Sequence, residues 1–166
     1  EQKLGIKGSS TRQVFFENVK VPVENVLGEI GKGHRIAFNI LNIGRIKLGA
    51  GVLGASKLIA SLAVNYANER KQFKKPISSF GAIKYKMAQM AVKIFANESA
   101  IYRASGDINR MEESLTAEGK PLSEALLGAA EEYSIECAMM KVHPSEVLHY
   151  VADEGLQIYG GMRSEE

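Results

Sequence analysis

The stretch GHRIAFNILNIGRIKLGAGVLGASKLIASLAVNYANERKQ, residues 33–72, decides the fold. Ile36, Ile40 and Ile43, with Leu41, Gly44, Lys47 and Leu48 beside them, recur at spacings of three and four. The stripe continues through Val52, Ala55, Ile59, Leu62 and Tyr66, and no proline follows until Pro76. That period predicts one long helix from about Gly33 to Gln72. Gly44, Gly49, Gly51 and Gly54 fall close together, with Ala50 and Ala55 among them. Each glycine costs about 1 kcal/mol against alanine in a helix. Close packing of another helix is the ordinary compensation, and a flat ligand against bare backbone is the sharper one.

Downstream, Lys75-Pro76-Ile77-Ser78-Ser79 breaks the helix, and Ser79 is placed to cap the next. That second helix carries Ile83, Met87, Met90, Ala91, Ile94 and Ile101, and fades between Gly106 and Glu113. Met111 to Lys120 is polar and reads as a loop or a frayed helix end. A third helix starts after Pro121, with Ala125, Leu126, Ala129, Ala130, Tyr133, Ile135, Cys137 and Met140 as core candidates. His143-Pro144 should kink or split it. The pattern resumes through Val147, Val151, Leu156 and Ile158 and stops at Gly160-Gly161. The fold class is therefore all-α, an antiparallel up-down bundle lacking one helix.

Upstream the pattern differs. Thr11 to Glu17 is aromatic and β-branched, with Val14 and Phe16 on one face and Phe15 on the other, which predicts a short strand. Val19 and Val21 follow before Pro22. An isolated strand pair is not stable in water, so the segment reads as the tail of a β domain.

Composition excludes several classes. Of 166 residues, 45% are hydrophobic and 24% charged, which supports a packed core rather than disorder. Lys and Arg total 21 against 19 Asp and Glu, without the basic excess of a nucleic-acid binder. One cysteine, Cys137, leaves no internal disulfide and no thiolate-rich zinc site. No uncharged apolar run reaches the roughly 18 residues of a membrane span, so no transmembrane segment is expected. The start lacks the basic flank and apolar run of a signal peptide.

Few constellations carry chemistry. His34, His143 and His149 have no second histidine or cysteine three or four residues away, so no metal is expected. Cys137 sits in an apolar helical stretch and reads as an inert core residue rather than a nucleophile. Arg45, in an apolar glycine-rich run, needs an anion or carbonyl, and a structural salt bridge and a ligand contact are equally good answers. Arg70, Lys71, Lys74 and Lys75 surround Phe73 at a helix end. They read either as a solvated cap favoured by the helix dipole or as a phosphate clamp with Phe73 against a ring. A nucleic-acid patch is the third reading, but the rest of the chain does not extend it. Gly160-Gly161 admits a backbone close to a ligand, or merely stops a helix.

Taken together, three ordered segments resemble the acyl-CoA dehydrogenase family: LGIKGSSTRQVFFENVKVPVENVLGEIGKG (residues 4–33), NERKQFKKPISSFG (68–81) and VADEGLQIYGGM (151–162). The resemblance spans residues 3 to 162, and Phe80-Gly81 and Met162 look most like the very-long-chain branch. It implies that residues 1–30 are the tail of the middle β domain. Residues 31–162 would be the C-terminal helical bundle domain without its last helix, and residues 163–166 a truncated end. The implied cofactor is FAD, with Arg70 on the pyrophosphate of a neighbouring subunit's FAD, Gln72 and Phe73 beside the adenosine, and Gln157 and Gly161 at the adenine end, again across the dimer interface. Asn42 and Arg45 match positions near the acyl-CoA. Asn42 replaces the family's usual acid there, which leaves it a neutral hydrogen-bonding role.

The chemistry implied is α,β-dehydrogenation of a fatty acyl thioester, in which a carboxylate takes the α-proton and the β-hydride passes to the flavin. The usual base is a glutamate in a Glu-Gly-Thr motif downstream of the Gly-Gly, so no catalytic base is assigned up to Glu166. Gly44 occupies the family's minority position for the base and cannot act as one, and the role is not transferred to Glu154. The resemblance further implies an acyl-CoA substrate, electron-transfer flavoprotein as acceptor, a homodimer or homotetramer, and a bacterial cytoplasm or mitochondrial matrix. An acyl-CoA oxidase, a non-catalytic assembly-type member of the fold, or a structural helical interaction module are the alternatives.

Overall fold

The computed structural model describes residues 1–164, and the expected chain end at residues 163–166 lies partly outside them, at Glu165 and Glu166. The chain divides into two units, one ending at Gly33 and the other beginning at His34. In the first, a 3-10 turn covers Val23–Asn25. The Ser9 amide bonds the Ile6 carbonyl at 3.2 Å to close a turn. The strand expected at Thr11 to Glu17 does not form: among the described residues no β-ladder includes that segment. A strand exists only as part of a ladder. Val14, Phe15 and Phe16 remain exposed.

The second unit is helical: α1 (Gly33–Glu69), α2 (Gly81–Ala117), α3 (Leu122–Glu132) and α4 (Ser134–Tyr159). Strand β1 (Lys71–Gln72) and strand β2 (Lys75–Pro76) form a minute antiparallel hairpin between α1 and α2. Successive long helices alternate in direction. Lys86 of α2 pairs with Glu154 of α4, and the His143 ring of α4 meets Asn97 of α2, so these two run antiparallel. Along α1, Asn42 reaches Ala130, Gly49 abuts Met140, Ile59 meets Gly155 and Tyr66 stacks on Tyr159. The two partner series ascend together, so α1 lies parallel to the α3–α4 segment.

The core joins Leu53, Ala63 and Ala67 of α1 to Met90, Ile94, Ile101 and Ala104 of α2 and Met140, Val147, Val151 and Ile158 of α4. Its line on α1 is offset from the apolar stripe read from the sequence, of which Ile59 and Tyr66 pack against the core but Ile40 and Leu62 do not. Asn39, Asn42, Gly49, Leu53, Ser56, Ala63 and Ala67 are buried, whereas Ile40, Leu41, Leu48, Leu58 and Leu62 are exposed. Small residues let a neighbouring backbone come close, so the packed face is the one with the least side chain. The same exposed leucines matter to the membrane question. Although Arg45, Lys47 and Lys57 interrupt the run, α1 is long and apolar enough in composition to cross a membrane, so composition does not confirm the expected absence of a span.

Four boundaries differ from expectation. Helix α1 stops at Glu69, and the hairpin rather than helix carries Lys71 and Gln72. Ser79 caps nothing: it lies in a 3-10 turn, Ile77–Ser79, and its hydroxyl bonds the Pro76 carbonyl at 2.7 Å. Helix α2 runs through the polar Met111–Ala117 stretch, because buried Leu115 anchors that end. Gly119, at φ 89°, then terminates it with its amide on the Thr116 carbonyl. Finally, the third helix breaks at Tyr133, not at His143-Pro144. Pro144 lies inside α4 with its ring buried.

Candidate functional site at the joined ends of two helices

Helix α1 leaves its last turn through Arg70, whose amide bonds the Tyr66 carbonyl at 2.9 Å and whose carbonyl accepts from the Ile77 amide at 2.8 Å. Those two bonds pin both feet of the hairpin. Register Gln72↔Lys75 leaves a two-residue loop, Phe73-Lys74, and both residues take left-handed backbone, φ 51° and 66°. This is the primed hairpin turn, which normally selects Asn-Gly. Its occupation by two bulky L-residues stores strain of the kind that accumulates at working sites. At the tip Phe73 is 86% exposed. Its ring stands edge-on to Phe80 at 6.2 Å, and Lys75 Nζ lies 4.5 Å above the Phe80 ring.

Helix α4 ends beside this hairpin. Gly160 follows Tyr159 with φ 60°, a left-handed exit that suits a residue without Cβ. A Cβ added at Gly160 or Gly161 would meet nothing within 4 Å, so their backbone faces open space. Between the ends of the two helices lies a cavity of about 320 Å³, lined by Tyr66, Arg70, Gln72, Ile77, Ile158, Tyr159, Gly160, Gly161 and Met162. Arg70 is exposed and makes no ion pair among the described residues. The cavity thus offers an uncommitted guanidinium, apolar and aromatic walls, and a stretch of bare backbone, a set suited to a phosphate-bearing planar ligand.

Of the residues singled out from the sequence, Arg70, Gln72 and Gly161 meet in this cavity. Phe73 stands at the hairpin tip outside its lining, and Gln157 is exposed on α4 and does not line it either. Tyr66, Ile77, Ile158 and Tyr159 line it without having been singled out as site residues. Tyr66 was legible only as part of the α1 stripe, yet it stands one helical turn before Arg70.

Asn42 and Arg45 form a separate group. They lie roughly 38–42 Å along the helix from Arg70, at about 1.5 Å per residue. Arg45 Nη1 donates to Asn42 Oδ1 at 2.8 Å, and Asn42 Nδ2 donates to the Ala130 carbonyl at 3.3 Å. Asn42 is 6% exposed, so its amide is engaged on both sides inside the bundle. Arg45 has no ion-pair partner among the described residues, so the structural salt bridge is not what holds it.

The other candidates resolve plainly. Cys137 is fully buried, and burial, with Glu136 adding to it, raises its thiol above the usual 9.0 while Arg45 opposes the shift. Such a thiol is a poor nucleophile. Glu154, the last carboxylate before the Gly-Gly turn, is paired with Lys86. Among the described residues no cluster of His, Cys, Asp and Glu could hold a metal ion.

Comparison with known proteins places the chain. The family model described as acyl-CoA dehydrogenase, C-terminal domain, matches residues 31–164, and the chain belongs to that family. A probable acyl-CoA dehydrogenase of Bacillus subtilis (strain 168) is 50% identical over 161 residues, covering 97% of this chain and 27% of that protein. The mitochondrial very long-chain specific acyl-CoA dehydrogenase of Rattus norvegicus is 40% identical over 162 residues, 98% of this chain and 22% of its own. Among solved structures, an acyl-CoA dehydrogenase complexed with FAD from Bacillus anthracis superposes with a TM-score of 0.85 at 50% identity, over 99% of this chain and 28% of that one. The chain therefore spans about a quarter of the length of the relatives it matches.

Proposed function

We propose that this chain is part of an FAD-dependent acyl-CoA dehydrogenase that desaturates fatty acyl-CoA thioesters between Cα and Cβ. In this reading residues 1–30 end the middle β domain and residues 31–162 belong to the C-terminal helical domain. The observation that carries the reading is the convergence of Arg70 with the Gly160–Gly161 backbone on one cavity, in a chain of this family. FAD, when bound, supplies the hydride acceptor. Arg70 neutralises its pyrophosphate, Gln72 and Phe73 flank the adenosine, and Gln157 and Gly161 take the adenine end. Arg45, aimed by Asn42, serves the acyl-CoA side. The role of base is given to no residue of this chain. Electron-transfer flavoprotein is the acceptor, and subunits associate as a dimer or tetramer in a bacterial cytoplasm or mitochondrial matrix.

The test uses the full-length protein that carries this chain. Expected results are a yellow protein with flavin absorbance, bleached anaerobically by a saturated acyl-CoA and reoxidised by electron-transfer flavoprotein. Rapid reoxidation by dioxygen with peroxide release would make it an oxidase. Purification without flavin, and no binding of added FAD, would leave only a structural helical module.

A further inference from the structure

The groups assigned to the cofactor come from two helix ends, and one side chain ties those ends together. Tyr66 lies in the last turns of α1, and its carbonyl accepts the Arg70 amide at 2.9 Å. Its ring stacks on Tyr159 with centroids 4.2 Å apart and planes 12° from parallel. Its hydroxyl donates to the Tyr159 carbonyl at 3.3 Å. That carbonyl belongs to the last turn of α4, where carbonyls lack partners along the helix. Gly160 follows immediately and opens the backbone toward the cavity. The stack fixes the separation of the two helix ends, and the hydroxyl fixes the rotation of the Tyr159 peptide that leads into Gly160. Tyr66 also forms part of the cavity wall.

We propose that Tyr66 is a positioning residue of the dinucleotide cavity, holding the Arg70 guanidinium and the Gly160–Gly161 backbone at the spacing one ligand can bridge. The proposal rests on the FAD reading above. It predicts coupling: with the guanidinium gone, the spacing that Tyr66 sets matters much less. A tyrosine that merely packs would stabilise the fold and leave the ligand affinity of the folded protein alone.

The experiment is a double-mutant cycle in the full-length protein, reading the FAD dissociation constant of the apoprotein by flavin fluorescence and the melting temperature of the apoprotein separately. Tyr66→Phe keeps the stack and removes the hydroxyl. It should weaken FAD binding roughly two- to tenfold, the worth of one hydrogen bond, with the apoprotein melting temperature nearly unchanged. Tyr66→Leu removes the stack as well and should weaken binding on the order of tenfold or more. Adding either change to Arg70→Ala should cost no more than about twofold further, because neighbours in one network are not additive. If Tyr66→Phe and Tyr66→Leu lower only the apoprotein melting temperature, or if their effects on FAD multiply fully with that of Arg70→Ala, Tyr66 is a packing residue and the proposal fails. If Arg70→Ala itself leaves FAD binding untouched, the failure lies in the cofactor reading, and the proposal falls with it.

Discussion

Gly49 of α1 lies against the backbone carbonyl of Met140 in α4, so closely that a methyl on Gly49 would overlap the oxygen and stand 3.3 Å from the carbonyl carbon. Four residues on from Met140 is Pro144, which has no amide hydrogen to give that carbonyl. The proline leaves an acceptor free, and the glycine lets a second backbone approach it, where a Cα–H contact offers partial compensation. This explains why Pro144 sits inside an uninterrupted α4 rather than splitting it.

The first prediction concerns that contact. Gly49→Ala should destabilise the full-length protein by about 1–3 kcal/mol, the usual cost of overpacking a tight interface. Gly51→Ala, where an added Cβ meets nothing within 4 Å of the bundle, should be tolerated. Thermal melts of the two variants separate the cases. Equal melting temperatures would show that α1 and α4 are not in backbone contact there.

The hairpin turn gives the second. Phe73 and Lys74 both occupy left-handed backbone, which costs an L-residue about 1–2 kcal/mol each. Lys74→Gly should therefore raise stability by about 1 kcal/mol and leave flavin affinity unchanged. Phe73→Asn should ease the turn too, but weaken flavin binding, since the ring is the part assigned to the adenosine. A Lys74→Gly protein that melts no higher would mean the turn is not strained.

Legibility in the sequence followed residue size. Helix α1 could be read from its apolar period, but the period marked only the edge of the packed face, where Ile59 and Tyr66 meet the core. Ile40, Leu48 and Leu62 kept the spacing yet are exposed, while Asn42, Gly49, Ser56 and Ala63 carry the packing. Hydropathy counts side-chain carbon, whereas close helix packing selects its absence. Pro144 was legible as a helix disruptor, but the free carbonyl it creates finds Gly49 nearly a hundred residues away in sequence, which no local rule sees. Arg70 and Gly160–Gly161 were recognised from their motifs. Tyr66 was not, because a tyrosine in an amphipathic stripe looks like any core residue until its partner at the end of another helix is known.

A third prediction follows from acid titration. Asp107 lies between Arg103, at 2.9 Å, and Arg110 on α2. The hydrogen bond from Arg103 chiefly, partly opposed by burial and aided by both positive charges, holds its carboxyl below the usual 3.8. A carboxyl depressed in the folded state contributes stability above its unfolded-state value and loses it as pH falls through the folded-state value. Asp107→Asn should thus lower the melting temperature slightly near neutrality and leave a flatter profile below about pH 4. Parallel profiles for the two proteins through that range would exclude the ion cluster as a contributor.

The fourth tests Cys137. Its thiol is fully buried and raised in pKa by that burial. A thiol-specific reagent should label the peptide containing it only in denaturant, as read by mass spectrometry. Rapid labelling of the native protein would mean that the packing around this part of α4 opens readily.

The last prediction concerns Arg70. In the full-length protein, Arg70→Ala should weaken FAD retention more than Lys74→Ala or Lys75→Ala. Geometry is the reason. Arg70 faces the cavity with a fork that can hold two phosphate oxygens. Lys74 stands in the turn of the hairpin and Lys75 over the Phe80 ring, and neither lines the cavity. Losing a charge-assisted hydrogen bond costs about 1.5–3 kcal/mol, so the flavin dissociation constant should rise roughly tenfold to a hundredfold. Because a ligand stabilises what it binds, the melting temperature of the Arg70→Ala holoprotein should fall and recover with excess FAD. Flavin content and melting temperature of the three variants, with and without added FAD, decide the matter. Equal retention in all three would reduce the basic cluster to a solvated helix end, favoured by the α1 dipole and by nothing else.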